Sequence, residues 1–207
     1  MKNLWIILAI TFSMVAYGQS SYDKEMEIAL KAWKNNNQEG LNAFKQISEE
    51  YLPSRLPQYY MALIQTLISF ESNDLIKKEA LIDEAKLAIE GLRRKYPNDP
   101  EILNLKALNL TAEIVLNPMK NGMALMDEVN ETYREALNLE PNNPRSILGQ
   151  AEFNLNASKF IGGDITSNCN ALEKALALFK LEKKQKFEPQ WGQKQAENVL
   201  KNQCNNQ

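Results

Sequence analysis

The side chains here that could do chemistry are few, and their scarcity is informative. Histidine is absent. The usual general base near neutral pH and the commonest metal ligand are therefore missing. No Ser–His or Cys–His nucleophile pair can form within the chain. Cysteine occurs twice, as Cys169 and Cys204, too few for a four-cysteine zinc or iron–sulfur site. Carboxylates stand one helical turn apart in places, as at Glu79 and Asp83. Acid–base catalysis needs two such groups in one pocket with separated pKa values, and nothing in the spacing puts them there; they read as surface residues. The stretch 160-FIGGDITSNC-169 lacks the lysine and the preceding strand of a phosphate loop. It reads as a turn, in which Gly162 and Gly163 supply unusual backbone angles and Asp164 or Thr166 caps the next helix. No catalytic centre, metal site or cofactor is expected.

What the two thiols can do depends on the compartment. Residues 1–18 read MKNLWIILAITFSMVAYG, with Lys2 ahead of an apolar run from Leu4 to Tyr17. Ala16 and Gly18 then give the small-x-small pattern of signal peptidase substrates. The run is shorter than the ~20 residues that span a bilayer. A cleaved secretory signal is predicted, with cleavage before Gln19 and a folded part over 19–207. An uncleaved anchor or a buried first helix is the alternative. No later segment is apolar enough to cross a membrane, so no span is expected in the mature chain. Export to a bacterial periplasm or to the medium makes disulfides permissible. Cys169 and Cys204 fall nearly level on the two helices that flank a loop centred near residue 186. A Cys169–Cys204 disulfide is therefore predicted, two free thiols being the alternative.

The balance of 24 basic against 26 acidic residues gives a formal net charge of −2. That is not the basic excess of a general nucleic-acid or anionic-membrane binder, and neither partner is expected.

The elements that would position these residues are bounded by prolines. Pro53, Pro57, Pro97, Pro100, Pro118, Pro141, Pro144 and Pro189 leave long breaker-free stretches between them, and proline is tolerated at helix starts but not in interiors. Apolar residues inside the stretches follow helical spacing, as in Tyr22, Met26, Ala29, Leu30 and Trp33, or Leu41, Phe44, Ile47 and Tyr51. No period-2 run of useful length occurs. The pattern predicts nine helices, at 22–36, 39–52, 57–71, 75–95, 100–116, 120–139, 144–157, 165–183 and 189–203. Met119, Met123 and Met126 cluster around the turn 117-NPMKNG-122. At that spacing Met123 and Met126 read as core, with an adaptable methionine surface as the alternative.

One phrase recurs. The stretches 95-KYPNDP-100 and 139-LEPNNP-144 stand 44 residues apart, and 51-YLPSRLP-57 is a weaker echo 44 earlier. Around them, 133-YREALNLEP-141 resembles the second helix of a tetratricopeptide repeat. Tyr133, Ala136 and Pro141 stand at the spacing of its aromatic, small and closing proline residues. Ala85, Ile89 and Pro97 match in the preceding unit, with Leu92 where alanine is usual. Leu103 and Ala107, then Ile147 and Ala151, match the large and small positions of the first helices that follow. The family period is 34, so this chain would carry longer helices and turns. In the first unit Lys45 and Ser48 replace the aromatic and alanine, and a one-residue slip recruits Phe44 and Ile47. In the last unit 171-ALEKALALF-179 keeps the alanine rhythm, while the closing proline comes late, at Pro189.

The resemblance implies an all-α, right-handed superhelical solenoid of about four antiparallel helix pairs over 22–188, capped by a helix at 189–204. It also implies a concave groove for a protein or peptide. Carried over from the motif, the lining would be Glu101, Asn104, Leu108 and Thr111, then Arg145, Leu148, Glu152 and Leu155. The leading expectation is a non-enzymatic interaction scaffold in the cell envelope. A structural spacer or assembly component using its convex face or end cap is the alternative. A carboxylate-dependent hydrolase is a third reading.

Overall fold

A computed structural model describes residues 21–52, 54–163 and 165–204. The expected signal segment 1–18, its cleavage point before Gln19 and the candidate cap Asp164 lie outside the described residues. Those residues are all-α, with no strand among them. The helices are α1 (21–35), α2 (Asn37–Glu50), α3 (Arg55–Glu71), α4 (Leu75–Lys95), α5 (Pro100–Leu116), α6 (Pro118–Leu139), α7 (Pro144–Ile161), α8 (Ile165–Leu181) and α9 (Gln193–Val199). A π turn, Leu200–Cys204, continues α9. None of the described helices is long and apolar enough to cross a membrane. The chain divides into two compact units, Met1–Ile64 and Gln65–Gln207.

The helices begin where short polar side chains can satisfy the free N–H groups of a first turn. Asn36 Oδ1 accepts from Gln38 N at 2.8 Å and Glu39 N at 3.1 Å. Asp74 does the same for α4, Asp99 for α5 and Asn143 for α7. Pro100, Pro118 and Pro144 open their helices, where a missing N–H costs nothing. Pro57 lies inside the first turn of α3, so that helix starts two residues before the expected 57.

Two boundaries differ more, and one expected cap is displaced. Helix α7 runs to Ile161 rather than 157 and stops at Gly162, whose φ of 73° suits glycine. Helix α8 begins at Ile165, the expected start, and Thr166 lies inside its first turn rather than at the cap. The last helix begins at Gln193, not Pro189, because Gly192 has φ 110° and breaks the helical path.

In the first unit, aromatic side chains fill the space between helices. The Tyr60 ring stacks on Phe44 at 4.8 Å and tilts against Trp33 at 5.5 Å. A Cβ on Gly40 would lie 2.6 Å from Trp33 Cβ, so only glycine lets α1 and α2 approach so closely.

In the second unit, α5 is the central helix. Ile102, Leu103, Leu105, Ala107, Leu110 and Ala112 are all buried, and α4, α6 and α7 pack against it. The eight residues expected to pack the repeats, Ala85, Ile89, Leu103, Ala107, Tyr133, Ala136, Ile147 and Ala151, are buried. A second core joins α7, α8 and the C-terminal segment through Leu148, Leu172, Phe179, Ala196 and Val199. Cys169 and Cys204 form a disulfide, with Cα atoms 5.9 Å apart.

Candidate functional site

The 44-residue period has a direct consequence in space. Glu101 and Arg145 occupy the same place in the first turns of α5 and α7, and they meet. Arg145 Nε donates to Glu101 Oε1 at 2.8 Å. Arg145 Nη1 donates to Glu182 Oε2 at 3.2 Å and to the Trp191 carbonyl at 3.4 Å, and Nη2 donates to Glu182 Oε1. The guanidinium also lies 5.8 Å from the Phe179 ring centre, a cation–π distance. Asn143 caps α7 through Oδ1 and donates from Nδ2 to Glu101 Oε1 at 2.8 Å and Glu140 Oε2 at 2.9 Å. Asn104 Nδ2 donates to Asn143 Oδ1 at 3.3 Å.

Burial pushes the Glu101 carboxyl above its usual value, against the pull of Arg145 and Asn143. Burial also opposes the Arg145 charge, but Glu101 and Glu182 outweigh it and hold the guanidinium above its usual value. Such a knot fixes α5, α7 and the 182–192 loop to one another. It offers no exposed acid or base to a substrate.

The expected groove is therefore not an open surface. Glu101, Asn104, Arg145, Leu148 and Leu155 are buried, and Leu108, Thr111 and Glu152 are half-buried. Neighbouring first helices face each other, and the C-terminal segment covers α7. Leu148 and Leu155 share a core with Ala196, Val199 and Leu200, and Gln195 Nε2 donates to Glu152 Oε2. The opposite charges of Glu101 and Arg145 at one repeat position were the sequence signal for this arrangement.

Exposed apolar side chains lie elsewhere, where α6 begins and α7 stops. These helices are joined by a short connection and run antiparallel. Their contact is close at one level: a Cβ on Gly149 would lie 2.5 Å from the Tyr133 ring. Phe153 shares a core with Val129 and Tyr133. Phe160 lies seven residues beyond Phe153, and Gly122 seven before Val129. Seven residues are about two turns, or about 10.5 Å, and return to the same stripe. Phe160 and Gly122 thus fall on the stripes that pack at Phe153 and Val129. Yet Phe153 is 9% exposed and Phe160 89%, and a Cβ on Gly122 would meet nothing within 4 Å. The stripe is thus an exposed apolar patch where α6 begins and α7 stops.

Met119 and Met123, 94% and 90% exposed, belong to this patch on α6. Met126, half-buried, packs against the core. The core reading of Met123 is thereby corrected: at 90% exposure no neighbouring helix covers it. No described cluster of His, Cys, Asp and Glu could hold a metal ion.

The sequence matches no family model, and no curated protein matches it. Among solved structures the chain is similar to the HusA haemophore from Porphyromonas gingivalis, with a TM-score of 0.74 and 19% identity, over 88% of this chain and 90% of that one. At that identity the likeness is one of fold.

Proposed function

We infer that this chain is an exported, non-catalytic binding protein that holds an apolar, planar ligand of the tetrapyrrole class against the exposed apolar patch where α6 begins and α7 ends. The observation that carries the reading is a patch of exposed large apolar side chains where α6 begins and α7 ends: Phe160, Met119 and Met123 are 89%, 94% and 90% exposed. Exposed apolar patches of this kind mark ligand or partner sites. The fold likeness to a protein described as a haemophore supports the choice of ligand class. The disulfide supports an oxidising compartment, hence export to periplasm or medium. With histidine absent and both cysteines paired, contacts to the ring would supply most of the affinity. The buried carboxylate of Glu101 and the half-buried one of Glu152 serve neighbours inside the fold, which supports a binding role over a hydrolytic one.

Titration of the disulfide-bonded chain with haemin, followed by visible absorption, tests this. One-to-one saturable binding at micromolar Kd or tighter is expected. Phe160→Ala, at an exposed position, should weaken it about tenfold or more, equivalent to ~1.4 kcal/mol. Absence of saturation, or a variant that binds like the parent, overturns the reading.

A second reading keeps the tetratricopeptide-like superhelix and a protein partner. One observation favours it. The turns α3–α4, α5–α6 and α7–α8 each present exposed apolar residues: Leu75 and Ile76, Val115 and Met119, Phe160 and Ile161. Antiparallel connection puts these turns at one end of the helices. A peptide partner would need several of these turns at once, whereas a tetrapyrrole depends on Phe160 and its neighbours in the patch alone.

A further inference from the structure

We propose that Met119, Met123 and Met126 form a binding site for one soft monovalent cation, Cu(I), with Ag(I) as its surrogate. The three stand at i, i+4 and i+7 on a helix that is continuous from Pro118 to Leu139. At 3.6 residues per turn they fall within a sector about 60° wide. Along the axis they are separated by about 6 Å and then about 4.5 Å, spans that two methionine side chains can bridge around an ion. Lys120 lies outside the sector.

Met119 and Met123 are almost wholly exposed and Met126 is half-buried. A methionine side chain has three rotatable bonds, so the exposed pair can swing toward Met126. Gly122 lies in the same region of the helix, and the space where its side chain would stand is open. Gly122 thus adds no bulk beside the three methionines.

The donor chemistry selects the metal. Thioethers are neutral and soft, so they favour Cu(I) and leave hard or borderline ions to carboxylates and imidazoles. Both thiols of the chain are consumed in the Cys169–Cys204 disulfide and histidine is absent. The methionine sulfurs are the soft donors that remain. This site does not depend on the tetrapyrrole reading, because it needs only α6 and no planar ligand.

The test is calorimetric titration of the full disulfide-bonded chain with Ag(I), followed by anaerobic Cu(I) titration in competition with a chromophoric chelator. One ion per chain is expected, with Zn(II) giving no uptake. The double variant Met119→Leu, Met123→Leu should weaken binding at least a hundredfold. Leucine keeps helix propensity and volume at two exposed positions, and unchanged circular dichroism would attribute the loss to the sulfurs. Methyl resonances of Met119, Met123 and Met126 should shift on Ag(I) addition while the other methionines stay in place. No uptake, equal uptake of Zn(II), or parent-like affinity in the leucine variant would overturn the proposal.

Discussion

At the scale of single residues, burial decides what each charged group contributes. Glu152 on α7 accepts a hydrogen bond from Gln195 of α9. Burial raises its pKa above the ordinary 4.5, while Gln195 and Lys159 oppose the rise. A raised folded value means that the ionised form is less at home in the folded state. The penalty is absent below the unfolded value and complete once pH exceeds the folded one. Glu152→Gln keeps an oxygen for Gln195 and removes the charge. Its Tm should therefore exceed that of the parent by a few degrees at pH 7, with the difference vanishing near pH ~4. Thermal melts across that range check it, and a lower Tm at neutral pH would mean that the Lys159 attraction outweighs burial. The reasoning does not extend to Glu101. Its carboxylate pairs with Arg145, and removing one partner of a buried pair leaves the other charge uncompensated.

At the scale of elements, glycine inside a helix shows where two helices press together. Gly149 lies under the Tyr133 ring, and a Cβ there would come within 2.5 Å of it. Gly91 in α4 has nothing within 4 Å of the same point. Alanine normally gains about 0.5–1 kcal/mol over glycine in a helix, so Gly91→Ala should stabilise. Gly149→Ala must displace a buried tyrosine and should instead cost about 1–3 kcal/mol. Urea unfolding of the two variants should move in opposite directions. The contrast also marks what could be read beforehand. Helices α4 and α5 were legible to the residue, because Asp74, Asp99 and the prolines are local signals. The start of α9 was not, because the 182–192 loop is shaped by tertiary contacts. Its Glu182 and Trp191 serve Arg145, and Phe187 is held at φ 64°. The exposed patch was hidden for a related reason. Methionine at helical spacing reads as core, and only the packing of the folded helices leaves Met119 and Met123 uncovered.

At the scale of the whole molecule, one covalent bond governs how the Gln65–Gln207 unit ends. The C-terminal segment covers Leu148 and Leu155, so the core of α7 and α8 is complete only while α9 and the π turn stay docked. Chain ends fray unless tied down, and α9 is short, seven residues without a side-chain cap. The Cys169–Cys204 bond closes a separation of 35 residues. In the chain-entropy model that restriction of the unfolded state is worth about 4 kcal/mol. For a unit of this size about 4 kcal/mol corresponds to a Tm shift of roughly 10 °C. Cys169→Ser with Cys204→Ser should show that loss. Its amide exchange should speed up first over 193–204, and then on the α7 stripe that those residues cover. Reduction of the parent should reproduce both effects. Helix α6 and its methionines stand apart from the disulfide, so Ag(I) uptake by the variant should match the parent below its Tm. If instead the variant melted like the parent and 193–204 kept its protection, packing of Ala196, Val199 and Leu200 alone would be holding the segment, and the disulfide would only record the oxidising compartment in which the chain folds.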